Sequence, residues 1–113
     1  MKGLFYKKLY LYRDDYDKVV GVSLAGPMTW EADETSAIID ATISQRTSSG
    51  GMAQARGRTL AGLDNPDPFW VCSANVEGDV APEEGPAVAS AKALVRVGDC
   101  TETVEWETQV ELV

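Results

Sequence analysis

Residues 87–112 read AVASAKALVRVGDCTETVEWETQVEL. Val104, Trp106, Thr108, Val110 and Leu112 occupy every second position, with Glu105, Glu107, Gln109 and Glu111 between them. Successive side chains of a strand point to opposite faces, so this segment predicts a strand with one face buried and one wet. Upstream, Ala87, Ala89, Ala91, Ala93, Val95 and Val97 alternate in the same way, and Gly98-Asp99-Cys100-Thr101 supplies a tight connection. The pair predicts an antiparallel hairpin. Residues 87–97 also suit a short helix opened by Gly85-Pro86, with proline in its first turn. The partner strand downstream favours the hairpin.

A second hairpin is expected at the other end of the chain. Residues 4–13 are rich in aromatic and branched side chains, with Leu9 and Leu11 on one face and Tyr6, Tyr10 and Tyr12 on the other. The polar break Asp14-Asp15-Tyr16-Asp17 precedes residues 18–25, where Val20, Val22 and Leu24 alternate, and Gly26-Pro27 is expected to end the strand. Residues 37–46 fit a strand with Ile39, Ala41 and Ile43 on one face, or a helix grouping Ile38, Ile39, Thr42 and Ile43. The density of isoleucine and threonine favours the strand. Thr47-Ser48-Ser49-Gly50-Gly51 has the composition of a flexible loop, and residues 52–68 predict the longest irregular connection, with a turn at 64–68. Residues 69–76 form a strand with Trp70, Cys72, Ala74 and Val76 on one face, and residues 77–86 form an acidic loop.

With turn signals between some six strands and no regular strand–helix alternation, the expected fold is all-β, an antiparallel β-sandwich or small barrel. An α+β fold with helices at 37–46 and 87–97 is the alternative. The length of 113 residues suits one β domain spanning residues 1–113. No apolar run reaches the roughly 18 residues that cross a bilayer. Residues 1–8 lack the apolar stretch of a classical secretory signal. A cytoplasmic or virion-associated location is therefore expected. Cys72 and Cys100 are expected to remain thiols in a reducing compartment, and a disulfide would require their strands to be neighbours.

The formal net charge of −8 is unevenly spread. Residues 1–20 carry five basic and three acidic side chains, residues 21–76 three and six, and residues 77–113 two and nine. A basic footprint for nucleic acid is missing, and anionic membrane surfaces would repel this balance. Neither nucleic acid nor membrane is an expected partner.

Histidine is absent, which removes the commonest general base and metal ligand. There is no G-x-x-x-x-G-K phosphate loop and no C-x-x-C pair. With eighteen acidic residues some carboxylate pair always looks suitable for hydrolysis, so that signal has no specificity. Asp14-Asp15-Tyr16-Asp17 and Asp64-Asn65-Pro66-Asp67 lack the spacing of a calcium loop and read as turn formers. No catalytic residue, metal site or cofactor is assigned.

The expected function is accordingly a non-catalytic structural or interaction module, such as a component of a phage virion or other protein shell. Its expected partner is protein, either further copies of the chain or a larger assembly. Three groups are candidate contact residues. Tyr6, Tyr10 and Tyr12 share a face, which is more often part of the core or of a second sheet face than an exposed patch. Arg56 and Arg58 form the one compact basic spot beyond the N-terminal segment, in an expected loop, within reach of an acidic neighbour such as a second copy's C-terminal face. Glu105, Glu107 and Glu111 repeat negative charge along one strand face, roughly 6.6–6.8 Å between successive positions. That repeat suits a strand guarded against edge pairing, or an acidic inhibitor occupying a nucleic-acid-binding site of a host enzyme. A small-ligand module using Trp30, Trp70 and Trp106 is a third reading. The charge contrast between the two ends further predicts that copies associate head to tail, as shells and tubes do.

Overall fold

Alternation in the sequence becomes alternation in space. The computed structural model describes residues 1–62 and 68–113. Its strands are β1 (Lys2–Gly3), β2 (Lys8–Arg13), β3 (Val19–Thr29), β4 (Glu34–Arg46), β5 (Met52–Gly62), β6 (Phe69–Glu77), β7 (Gly85–Val97) and β8 (Cys100–Leu112). The described residues contain no helix, so 37–46 and 87–97 are strands and the all-β reading holds. The turn expected at 64–68 lies, but for Pro68, outside the described residues.

Seven strands close into a barrel in the order β3-β2-β8-β7-β4-β5-β6, with β6 returning to β3, and β1 is added beyond it on β3. Every pairing is antiparallel except β2 with β8, which makes the barrel mixed where a purely antiparallel one was expected. The ladder is short at two seams. β2 meets β8 only at Lys8↔Glu111 and Leu9↔Leu112, and β5 meets β6 only at Gln54↔Glu77, Ala55↔Val76 and Arg56↔Asn75. Between these seams β5, β4, β7 and β8 form one continuous layer, with β2, β3 and β6 opposite.

The predicted C-terminal hairpin is realised over its whole length, from Gly85↔Leu112 to Val97↔Cys100. Its two-residue turn opens on Gly98 at φ 61, while Asp99 keeps a negative φ, which is the type II′ pattern that matches strand twist. Asp14 organises the N-terminal turn, its Oδ1 accepting from the amides of Tyr16 at 2.9 Å and Lys18 at 3.0 Å.

Two local expectations are corrected. β3 runs through Gly26-Pro27 to Thr29, because the chain before β2 lies against it. A Cβ on Gly26 would sit 1.7 Å from the Leu4 carbonyl oxygen, so glycine here permits a close approach rather than a turn. Residues 52–62 are strand β5 instead of an irregular connection. Residues 47–51 make a hydrogen-bonded turn, the Thr47 amide donating to the Gly51 carbonyl and the Gly50 amide to the Thr47 carbonyl, both at 2.9 Å. The acidic segment before β7 docks on this turn through Ser48, whose Oγ donates to Glu83 Oε2 at 3.0 Å, and on the end of β4 through Gln45. That side chain donates to the Glu83 carbonyl at 2.8 Å and accepts from the Glu83 amide at 2.9 Å.

Large residues of one layer fill the space that small residues of the other leave. Ala87, Ala89, Ala91 and Ala93 of β7 point inward, as do Ile39, Ala41 and Ile43 of β4, and all are buried. Facing them are Phe5, Leu9, Leu24 and Trp70, with Trp106 of β8 packed against the same cluster. The rings meet edge to face, with centroids 5.1 Å apart for Phe5–Trp70 and 5.8 Å for Trp70–Trp106. Trp106 thus points inward beside Val104 and Val110, and its Nε1–H is buried with no acceptor among the described residues. The Met1 ammonium is buried too and ion-paired with the carboxylate of Glu34, which also accepts from the Glu31 amide at 2.6 Å.

Two stability outcomes follow from these contacts. Burial raises the Glu34 pKa, but hydrogen bonds from the Met1 ammonium and the Glu31 amide outweigh it and hold the carboxyl below its ordinary value. A depressed pKa contributes stability that is present above the unfolded value, about 4.3, and is lost as pH falls through the folded one. Thermal melts should show Glu34→Gln less stable than wild type near neutrality, with the gap closing at low pH; a constant gap would refute the linkage. Trp106→Ala should cost about 3–5 kcal/mol in denaturant unfolding. Trp106→Phe should cost under about 1.5 kcal/mol, because it keeps a ring and removes the unpaired donor. Equal losses for the two would show that the ring's packing is not what matters.

Candidate functional site

Because most inward positions are filled with apolar side chains, most charged and polar side chains stand at the outer positions of the strands. On the layer of β5, β4, β7 and β8 the register brings these positions into rows running across the strands. Asp40 stands opposite Arg58 on β5 and Lys92 on β7, and Lys92 stands opposite Glu105 on β8. The next row is Arg56, Thr42, Ser90 and Glu107. Together these rows line an open groove of about 680 Å³, with short Thr42 and Ser90 in the middle strands and long side chains on β5 and β8.

One pair within the groove is locked. Arg58 Nε donates to Asp40 Oδ1 at 2.7 Å and its Nη2 reaches Oδ2 at 3.5 Å. This contact, and the charge of Asp40, raise the guanidinium pKa above its ordinary value. Both side chains remain largely exposed, so the pair orders the groove more than it stabilises the fold. The other rows carry no direct ion pair among the described residues.

Four of the candidate residues therefore meet on one face: Arg56 and Arg58 at its β5 side, and Glu105 and Glu107 at its β8 side. The arginines belong to a strand, which corrects their expected loop placement. Glu111 lies further along β8, opposite Pro86 on one side and Lys8 on the other. Tyr6, Tyr10 and Tyr12 lie outside the groove and are 45%, 62% and 62% exposed, so the preference for a core role is reversed. Asp40 and Lys92 were not singled out from the sequence. Their place in the row depends on cross-strand register, which period-two patterning on a single strand does not carry.

The charge contrast along the sequence also changes meaning. β2 and β8 pair only at Lys8↔Glu111 and Leu9↔Leu112, so the basic first segment and the acidic last segment meet at one point of the barrel.

Among the described residues, no three His, Cys, Asp or Glu side chains cluster closely enough to hold a metal ion. The Asp64–Asp67 group lies outside the described residues. Cys72 is buried and Cys100 exposed, and neither is in a disulfide. Burial, and secondarily the charge of Asp40, push the Cys72 thiol pKa up, which suppresses its thiolate. Comparison with known protein families, with curated proteins and with solved structures yields no match.

A thiol titration checks this arrangement. One equivalent of a thiol-specific reagent should react promptly at neutral pH, at Cys100, and the second only after denaturant is added. Prompt reaction of both would place Cys72 at the surface.

Proposed function

We propose that this protein is a non-catalytic interaction module, a component of a virion or another protein assembly, which acts through its outer surface. The observation that carries this reading is the row of tyrosines on β2. Tyr10 and Tyr12 point outward from consecutive same-face positions, opposite the small residues Ser23 and Gly21 of β3. Tyr6 precedes them, and Tyr16 at the hairpin tip is 92% exposed. Tyrosine offers large contact area at a low entropic cost together with a polar tip, and it is enriched where proteins meet. Four such rings open to solvent, on a barrel whose interior is occupied by its own side chains, favour recognition of a protein surface over turnover of a small molecule.

The two other readings have less support. Glu105 faces Lys92, and Glu111 faces Lys8, so β8 does not present the unbroken negative strip that a nucleic-acid mimic needs. Trp70 and Trp106 pack against each other and Phe5, and Trp30 packs against the same core. The indoles considered for ligand binding are thus engaged in holding the fold.

Replacing both Tyr10 and Tyr12 with serine tests the proposal. The variant should unfold within about 1 kcal/mol of wild type, since exposed positions contribute little to stability. It should lose the partner, or the higher-order assembly, that wild type captures from its native source as read by mass spectrometry. Unchanged capture by the folded variant would remove the tyrosine row from the reading. A purified wild type that binds nothing and turns over a substrate would replace it with an enzymatic one.

A further inference from the structure

We infer that the layer of β5, β4, β7 and β8 is a self-complementary surface on which a second copy of this chain docks face to face. This deepens the interaction reading by naming a partner for a surface other than the tyrosine row. The inference rests on the order of charges across the four strands. Read from β5 to β8, the central row is Arg58, Asp40, Lys92, Glu105, which is positive, negative, positive, negative. Reversing that row inverts every sign.

An isologous dimer performs this reversal. A two-fold axis lying in the interface, parallel to the strands, places β5 of one copy over β8 of the other and β4 over β7. Arg58 then faces the partner copy's Glu105, and Asp40 faces its Lys92, each contact occurring twice. The next row behaves alike: Arg56 meets Glu107, and Thr42 meets Ser90. On the other side of the central row lie Leu60, Ile38 and Leu94, outward-facing and 77%, 38% and 46% exposed. The same axis sets Ile38 against Leu94, apolar against apolar. These contacts supply the desolvation energy that exposed ion pairs lack.

The competing axis fails on charge. A two-fold axis across the strands would set Arg56 against Arg58 and Glu105 against Glu107, which opposes like charges at both flanks. The sequence therefore selects one of the two symmetric ways of stacking this face. Facing sheets cross at about 30°, and the long stems of arginine and lysine absorb the resulting offset. With strands about 4.8 Å apart and same-face positions about 6.8 Å apart, four strands by three rows span about 14 by 14 Å between Cα positions. Such a patch gives an interface at the small end of the specific range. The dimer is accordingly expected to be concentration-dependent rather than permanent.

Analytical ultracentrifugation of the whole chain tests this with complementary charge reversals. Wild type should show a monomer–dimer equilibrium that weakens as salt rises from 0.1 to 1 M, where the Debye length falls from about 10 to about 3 Å. Arg56→Glu/Arg58→Glu and Glu105→Lys/Glu107→Lys should each be monomeric alone, with circular dichroism unchanged. Mixed in equal amounts, they should form a one-to-one heterodimer, because each mutated flank then faces an opposite charge. Wild type that remains monomeric to about 1 mM, where even a millimolar contact populates the dimer, overturns the inference. So does self-association that persists in both variants, since it places the contact elsewhere. Neither result touches the tyrosine row, whose own variant tests the broader reading.

Discussion

Three aromatic rings from distant parts of the chain set the terms for the rest of this barrel. Phe5, Trp70 and Trp106 meet with centroids between 5.1 and 6.4 Å apart. Rings of this size would overfill a small barrel lined throughout by branched residues, since interiors pack to crystal density and overpacking is costly. The facing strands respond with alanine at successive inward positions of β7, and with Ala53 and Ala55 on β5. The N-terminal segment responds with glycine. A Cβ on Gly3 would lie 2.6 Å from the Trp106 ring. Leu4 in turn accepts the Trp70 indole N–H at 2.9 Å, so one indole is anchored by the backbone that covers the other.

Ile39, Ile43, Trp70 and Leu112 are each no more than 2% exposed, and the charged and polar side chains of the strands lie largely on the outer face. A barrel also hides most strand edges, yet here β8 pairs with β2 only at its last residues while pairing with β7 along its whole length. Its remaining outer edge, among the described residues, is flanked by Glu102, Glu105 and Glu107. Repeated charge beside an unpaired edge discourages indiscriminate strand addition. Glu105 and Glu107 also complete the antisymmetric rows, so in the proposed dimer one choice of residues would both resist disordered association and favour a single ordered contact.

The legibility of the fold follows from which strand is read. β8 is plain in the sequence because its inward residues are large and its outward ones polar. β5 is opaque for the complementary reason. Its inward positions, Ala53, Ala55 and Gly57, are small because bulky neighbours occupy the space, so nothing in the segment itself signals burial or β propensity. Its glycine resembles a loop residue until the neighbouring strand is seen. A Cβ on Gly57 would lie 2.2 Å from the Ser73 carbonyl oxygen. The aromatic face of β2 was misplaced for another reason. Tyr10 and Tyr12 alternate with Leu9 and Leu11, and hydrophobicity alone does not say which of two apolar faces turns inward.

Charge shows most clearly what the fold adds to the linear order of residues. Along the chain, basic and acidic side chains segregate toward opposite ends, which suggests a molecule with two unlike poles. Folding pairs β4 with both β5 and β7, and β7 with β8, which sets charges of alternate sign side by side on that face. Asp40 acquires a cation on each side, and Lys92 an anion on each side. Alternation within one molecule satisfies each charge only in part, because exposed pairs share their fields with water. A surface of the same pattern, reversed and laid across it, surrounds every charge with opposite neighbours and removes some of that water. Since the reversed pattern is this chain's own under one two-fold axis, the complementarity of this face and the proposed self-association rest on a single property, the register.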